Sequence, residues 1–264
     1  MRRSTTVLAL ASALVVLLGA ASPGELIYHK ANELFVAKKF SESAAAVQEA
    51  LRLDPKLVPA WTLKGKLAMA SGQTEIARAS LEQAVSLDPQ SSYAQFMLGF
   101  FWYYENNFNK AMPHLEKAHA LNATDADPVL YLAMTQEELG LTDEAMRYYD
   151  EAESLEGAQG KLGAETFLAH ARLLFMLSRF KESEKRVDQS LVIDPNSRNA
   201  HWQKGRLLLQ RGDAAGAVQQ GGIALETKGP GPIDNQIHEL LGRAYAAIGN
   251  TERSKLHFNA AKRR

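Results

Sequence analysis

Cysteine is absent from all 264 residues. Disulfide frameworks, thiolate zinc sites, iron–sulfur clusters and cysteine nucleophiles are excluded together, so stability has to come from packing. A surplus of charge is missing as well, because 30 Lys and Arg face 30 Asp and Glu. Bulk attraction to nucleic acid or to an anionic membrane surface has no source, and charged recognition depends on local patches. Strand-like alternation is not seen, so serine nucleophile elbows and opposed catalytic carboxylates have no scaffold. The glycine-rich stretch Gly229 to Gly231 lacks the preceding strand and the following Lys-Ser/Thr of a phosphate loop, and reads as a turn.

Long apolar runs are scarce too, with one exception at the start. Met1-Arg2-Arg3-Ser4 is followed by an apolar run from Val7 to Leu18 and then by Gly19-Ala20-Ala21-Ser22. A basic start, a short apolar core and small residues at a cleavage point make up a secretory signal peptide, expected at 1–21 with cleavage after Ala21. The protein is then exported, to a periplasm or outside the cell. An inner-membrane anchor over residues 5–21 is the alternative, although the run is short against the roughly 20 residues of a spanning helix. No cysteine follows the run, which excludes a lipid-anchored start. Removing 1–21 takes Arg2 and Arg3 and no acid, leaving 28 basic residues against 30 acidic ones.

What is present is self-similarity. Glu49-Ala50-Leu51-Arg52-Leu53-Asp54-Pro55 aligns with Gln83-Ala84-Val85-Ser86-Leu87-Asp88-Pro89 at a spacing of 34 residues. Lys117-Ala118-His119-Ala120-Leu121-Asn122 follows at the same interval, and Gln189-Ser190-Leu191-Val192-Ile193-Asp194-Pro195 repeats the ending. Trp61, Gly65, Ala68, Ala77, Leu81, Ala84 and Pro89 mark one unit; Leu98-Gly99, Trp102, Phe108, Ala111, Leu115 and Ala118 mark the next. This pattern resembles the tetratricopeptide repeat.

The resemblance implies an all-α, right-handed α-solenoid of about seven helix-turn-helix repeats, at 24–57, 58–91, 92–125, 126–159, 164–197, 198–231 and 235–264. The spacing slips at Gly160-Lys161-Leu162-Gly163, an expected hinge that separates repeats 1–4 (24–159) from repeats 5–7 (164–264). A second interruption runs from Lys228 to Asp234. Small residues at Gly65, Ala77 and Ala84 are expected where two backbones approach closely. Gly72, Gly140, Gly212 and Gly249 are expected in left-handed turns between paired helices. Pro55, Pro89 and Pro195 end second helices, with Asp54, Asp88 and Asp194 ready to bond local backbone.

In the same family, first helices line a ligand groove with positions two, five, six, nine, twelve and thirteen. Carried over by register, these are Tyr93, Phe96, Met97, Phe100, Tyr103 and Tyr104 in the third repeat, with Leu130, Tyr131 and Met134 from the fourth. An aromatic and methionine surface of this kind marks a peptide-binding groove, unless the side chains fold down into the core, Phe96 and Tyr131 first. Position nine ends in Arg172, Arg206 and Arg243, which would form a basic ladder with steps of about 10 Å. Glu165 and Glu239 share that face as competing partners. The family's clamp for a chaperone's acidic tail would need Lys, Asn, Asn, Lys and Arg where this chain has Tyr28, Asn32, Leu63, Tyr93 and Met97, so that ligand is disfavoured.

The histidines His29, His114, His119, His170, His201, His238 and His257 offer no i, i+4 pair on one helical face. His201 and His238 share a repeat position and could approach one another. No metal, no cofactor and no catalytic residue is expected. The expected function is that of a scaffold or adaptor of the cell envelope or secreted space, binding a peptide or helix segment of another protein. Nucleic acid is not expected as a partner, nor is a membrane beyond the N-terminal segment. Self-association through the C-terminal repeat, which ends at Lys262-Arg263-Arg264 without a further capping helix, is the alternative.

Overall fold

Asp54, Asp88 and Asp194 each stop a helix in the same way. The backbone turns extended at the aspartate, and its Oδ1 accepts from the amide two residues on, at 2.9 Å from Lys56, 2.9 Å from Gln90 and 3.1 Å from Asn196. Proline stands between, with no amide to continue the helix.

The computed structural model describes residues 21–156 and 161–262. The expected leader therefore lies outside the described residues but for Ala21, and so do residues 157–160 of the first interruption. Fourteen helices and no strand are found among the described residues: α1 (Pro23–Val36), α2 (Phe40–Leu53), α3 (Val58–Ala70), α4 (Thr74–Leu87), α5 (Ser92–Tyr104), α6 (Phe108–Leu121), α7 (Ala126–Glu138), α8 (Thr142–Glu156), α9 (Lys161–Met176), α10 (Phe180–Ile193), α11 (Arg198–Gln210), α12 (Ala214–Glu226), α13 (Asp234–Ala247) and α14 (Thr251–Ala261). The fold is all-α, a series of antiparallel helix hairpins. Among the described residues no helix is long and apolar enough to cross a membrane.

Each hairpin is closed by small residues. Ala31, Gly65, Gly99, Ala133, Ala171, Gly205 and Gly242 hold one equivalent position on the first helices, and all are buried. A Cβ added at Gly65 would lie 2.5 Å from Leu81 Cγ, and one at Gly99 2.7 Å from Leu115 Cγ. The second helices answer with alanine or serine. Ser43, Ser183 and Ser254 donate through Oγ to the carbonyls of Ala31, Ala171 and Gly242 at 2.7, 2.7 and 2.9 Å. A serine there satisfies its hydroxyl without widening the gap between helices.

The turn inside every hairpin passes through one left-handed residue. Gly72, Gly140, Gly212 and Gly249 take it at φ of 68, 75, 90 and 78°, as the sequence leads one to expect. Lys38, Asn106 and Ser178 occupy the same slot at 59, 55 and 59°. A side chain in that conformation carries a steric cost that glycine does not.

The chain divides into two units after Asn122. In the first, hairpins α1/α2, α3/α4 and α5/α6 stack so that α1, α3 and α5 are successive neighbours. Ala31, Val47, Leu63 and Leu67 form one of its buried clusters. The second stacks α7/α8, α9/α10, α11/α12 and α13/α14, again with successive first helices in contact. Its clusters include Val129, Leu130, Ala133, Tyr149 and Leu173. Each large aliphatic side chain buried this way contributes roughly 1.5–3 kcal/mol of transfer free energy, offset by ordering entropy.

Candidate functional site

Helix α5 commits Leu98, Gly99 and Phe101 to the interior. With 3.6 residues per turn, Tyr93, Phe100 and Tyr104 are left on another face. Tyr93 is 46% exposed and Tyr104 58%, while Phe100 is half-buried between them. Neighbouring rings on this helix stand in tilted contact, Phe96 to Phe100 at 5.8 Å and Phe100 to Tyr104 at 4.6 Å between centroids. Such pairs restrict one another's rotamers and hold the surface in one arrangement.

Not all six α5 positions are surface. Phe96 is 6% exposed and Met97 5%, so Phe96 belongs to the interior and Met97 serves as a floor. Tyr103 is half-buried and packs on Phe108 of α6 at 5.7 Å. Trp102 is half-buried, with Lys110 Nζ 4.2 Å above its ring, and the aromatic that α5 fully buries is Phe101 instead.

Phe100, Tyr104 and Met97 meet Phe35 of α1 and Lys66, Met69 and Ala70 of α3 around a cavity of about 340 Å³. Lys66 is the single cation among its described lining residues. Its Nζ donates to Tyr93 Oη at 2.7 Å and lies 4.9 Å from the Phe35 ring centroid, held by aromatic faces rather than by a carboxylate. Phe35, Met69 and Ala70 escaped sequence reasoning that concentrated on repeats three and four. The signal that finds them is the same register, which puts Phe35 and Met69 at position twelve of repeats one and two.

In the second unit, Leu130 is 3% exposed. Met134 packs against the cluster around Leu130 and Tyr149, and Tyr131 is half-buried. The basic ladder does not stand as three equivalent cations. Arg172 pairs with Glu137 at 3.0 Å, and that carboxylate also accepts from Tyr149 Oη at 2.7 Å. Arg243 pairs with Glu239 one turn earlier. Among the described residues Arg206 makes no ion pair and no hydrogen bond. Its guanidinium carbon lies 4.1 Å from the Phe175 ring centroid and 4.7 Å from that of Trp202. These residues, with Leu209, Gln210, Gln236, Leu240 and Arg243, surround a cavity of about 470 Å³. Burial, and then the neighbouring Arg243, holds the Arg206 guanidinium below the usual arginine pKa.

His170 and His201 are buried, and His238 and His257 are half-buried. His201 replaces Trp61 at its repeat position, and its Nε2 sits 2.9 Å from the Pro195 carbonyl as Trp61 Nε1 sits 2.8 Å from that of Pro55. Rather than meeting His201, His238 lies against His257, Nδ1 to Nδ1 at 2.9 Å. Asp150, Glu153 and His170 bring ligand atoms within 4.8 Å of one another. Arg186 already serves these carboxylates, at 3.1 Å from Glu153 and 3.5 Å from Asp150, and His170 Nδ1 is 2.6 Å from Glu153. A cation's place there is taken by a guanidinium.

Comparison with known proteins agrees with this architecture. A tetratricopeptide-repeat family model matches residues 58–91, and a second matches 168–232. Anaphase-promoting complex subunit 3 of Schizosaccharomyces pombe is 23% identical over 183 residues, 68% of this chain and 26% of that protein. The chain thus spans about a quarter of the length of that curated relative. Among solved structures, Pseudomonas aeruginosa PilF superposes with a TM-score of 0.68 at 18% identity, covering 76% of this chain and 88% of PilF. PilW, a type IV pilus biogenesis factor, superposes with a TM-score of 0.70 at 16% identity, covering 90% and 99%. At these identities the likeness speaks for the fold. The matched models identify tetratricopeptide repeats at 58–91 and 168–232, and the other described hairpins, closed by the same small residues, share the architecture of that repeat fold.

Proposed function

We propose that this protein is a non-catalytic scaffold whose first unit binds an apolar peptide or helix segment of another protein in the cavity between Phe35, Met69, Phe100 and Tyr104. The supporting observation is the exposure of large aromatics around a preformed concavity with no acid in its lining. Covering one such ring with an apolar ligand group contributes on the order of 1–3 kcal/mol. Little of that is lost to ordering, because the rings already brace one another. Neither matched family model describes an enzyme.

Export belongs to the same proposal, on the strength of residues 1–21. Type IV pilus biogenesis is what PilW is known for, and an envelope assembly is the kind of setting in which an exported scaffold of this fold would serve. The alternative of self-association has its own observation, since Leu256 and Ile248 stand exposed in the last hairpin.

The test uses the mature chain and crosslinking in the native compartment. Phe100→Ala with Tyr104→Ala should reduce capture of the crosslinked partner at least tenfold while helicity is unchanged. Undiminished capture would sink the reading. If the captured species is the protein itself, and light scattering shows a dimer that Leu256→Glu dissociates, self-association replaces it.

A further inference from the structure

The second unit holds a charge that the fold leaves unanswered. Taking a guanidinium partly out of water without an acceptor costs free energy, and arginines in packed regions are normally given a carboxylate. Arg172 and Arg243, at the same repeat position, have theirs. Arg206 is half-buried on α11, and among the described residues no hydrogen bond or ion pair engages it. The rings of Phe175 and Trp202 cover it, so its N–H edge is the part available to a ligand.

We propose that Arg206 anchors the side-chain carboxylate of a glutamate or aspartate on a partner polypeptide, whose neighbouring apolar side chains lie against Trp202, Leu209 and Leu240. Three observations select this chemistry. The cavity carries Arg206, Arg243 and Glu239, a balance of one positive charge, so a single carboxylate neutralises it and a phosphate dianion overshoots. Two aromatic rings flank the guanidinium, which suits a flat carboxylate approaching in its plane better than a tetrahedral anion. The apolar part of the lining, Leu209, Leu240 and Trp202, then has a use that a free ion would not supply. This site lies wholly in the second unit and is independent of the aromatic cavity of the first.

The experiment is a titration of the intact, isotopically labelled protein, following the Arg206 Nε–H resonance. Arg206→Gln identifies that resonance by its loss. The probes are N-acetyl-glutamate N-methylamide, the corresponding glutamine compound, N-acetylalanine with its free terminal carboxylate, and inorganic phosphate. The expected result is saturable movement with the glutamate probe in the millimolar range, at least fivefold weaker with each of the others. Arg206→Lys should weaken the glutamate probe several-fold, because an ammonium keeps the charge and loses the fork. An equal response to the glutamine compound overturns the proposal, and so does tighter binding of phosphate or of N-acetylalanine. The titration is made on the wild-type chain, and Arg206→Lys, which also lacks the Nε–H, supplies the assignment if Arg206→Gln folds poorly. Phe100→Ala with Tyr104→Ala should leave it unchanged, which separates failure here from failure of the first cavity.

Discussion

The cavities of the two units share repeat positions six, nine, twelve and thirteen and differ in chemistry. Around the first stand Phe35, Met69, Phe100 and Tyr104, with one lysine held against aromatic faces. Around the second stand Phe175 and Trp202 with two arginines, one neutralised by Glu239 and one not. The hairpin architecture constrains only the residues between helices, such as Gly65 and Leu81, and leaves the outward residues of the first helices free to vary. A shared backbone therefore fixes where such a cavity forms and says nothing of the chemistry that lines it.

The interior offers the hardest way to break the parallel. Gly99→Val should cost about 3 kcal/mol, because its side chain meets Leu115 across a hairpin with no room to part. Hydrogen exchange should then speed up in α5 and α6 while the second unit keeps its protection. Equal loss in both units would show that they unfold as one.

Glu153→Gln probes the other unit. It strips Arg186 and buried His170 of their shared carboxylate, and a loss of about 2 kcal/mol is expected in thermal or urea unfolding. A loss under roughly 0.5 kcal/mol would mean that Asp150 takes over the pairing.

Glycine at the left-handed turns works in the opposite direction. Lys38→Gly and Ser178→Gly, one in each unit, should each stabilise by about 0.5–1 kcal/mol, the relief of strain exceeding the added chain entropy. Asn106→Gly should give less, since asparagine tolerates this conformation. A shift in urea midpoint that ranks Asn106 first would contradict the strain account.

The smallest effect expected is a pH dependence confined to α13 and α14. Burial, then His238 and Arg253, lowers the folded-state pKa of His257. The unfolded chain therefore takes up that proton more readily, so the contribution is complete above about 6.5 and is lost as pH falls below it toward the lowered folded value. Amide exchange in α14 should quicken over that window, and His257→Gln should flatten the change.

Much of this was legible beforehand. The 34-residue period placed the helices, the glycines marked four of the seven left-handed turns, and Asp-Pro marked the helix ends. The other three turns were hidden because Lys38, Asn106 and Ser178 look like ordinary surface residues. Position nine suggested a ladder, and register alone could not show that Arg172 reaches Glu137, 35 residues away, rather than Glu165. It could not show either that Met97 would be a cavity floor while Tyr104 remained outside.

By itself, then, the order of residues determined the repeating hairpin, because small side chains at fixed intervals admit close antiparallel helices and proline with aspartate ends them. Tertiary structure alone decided which aromatics stayed on the surface and which position-nine arginine has no carboxylate partner among the described residues. Those outcomes depend on side chains brought together from different hairpins, and distance across the fold, unlike spacing along the chain, is set only once the helices have packed.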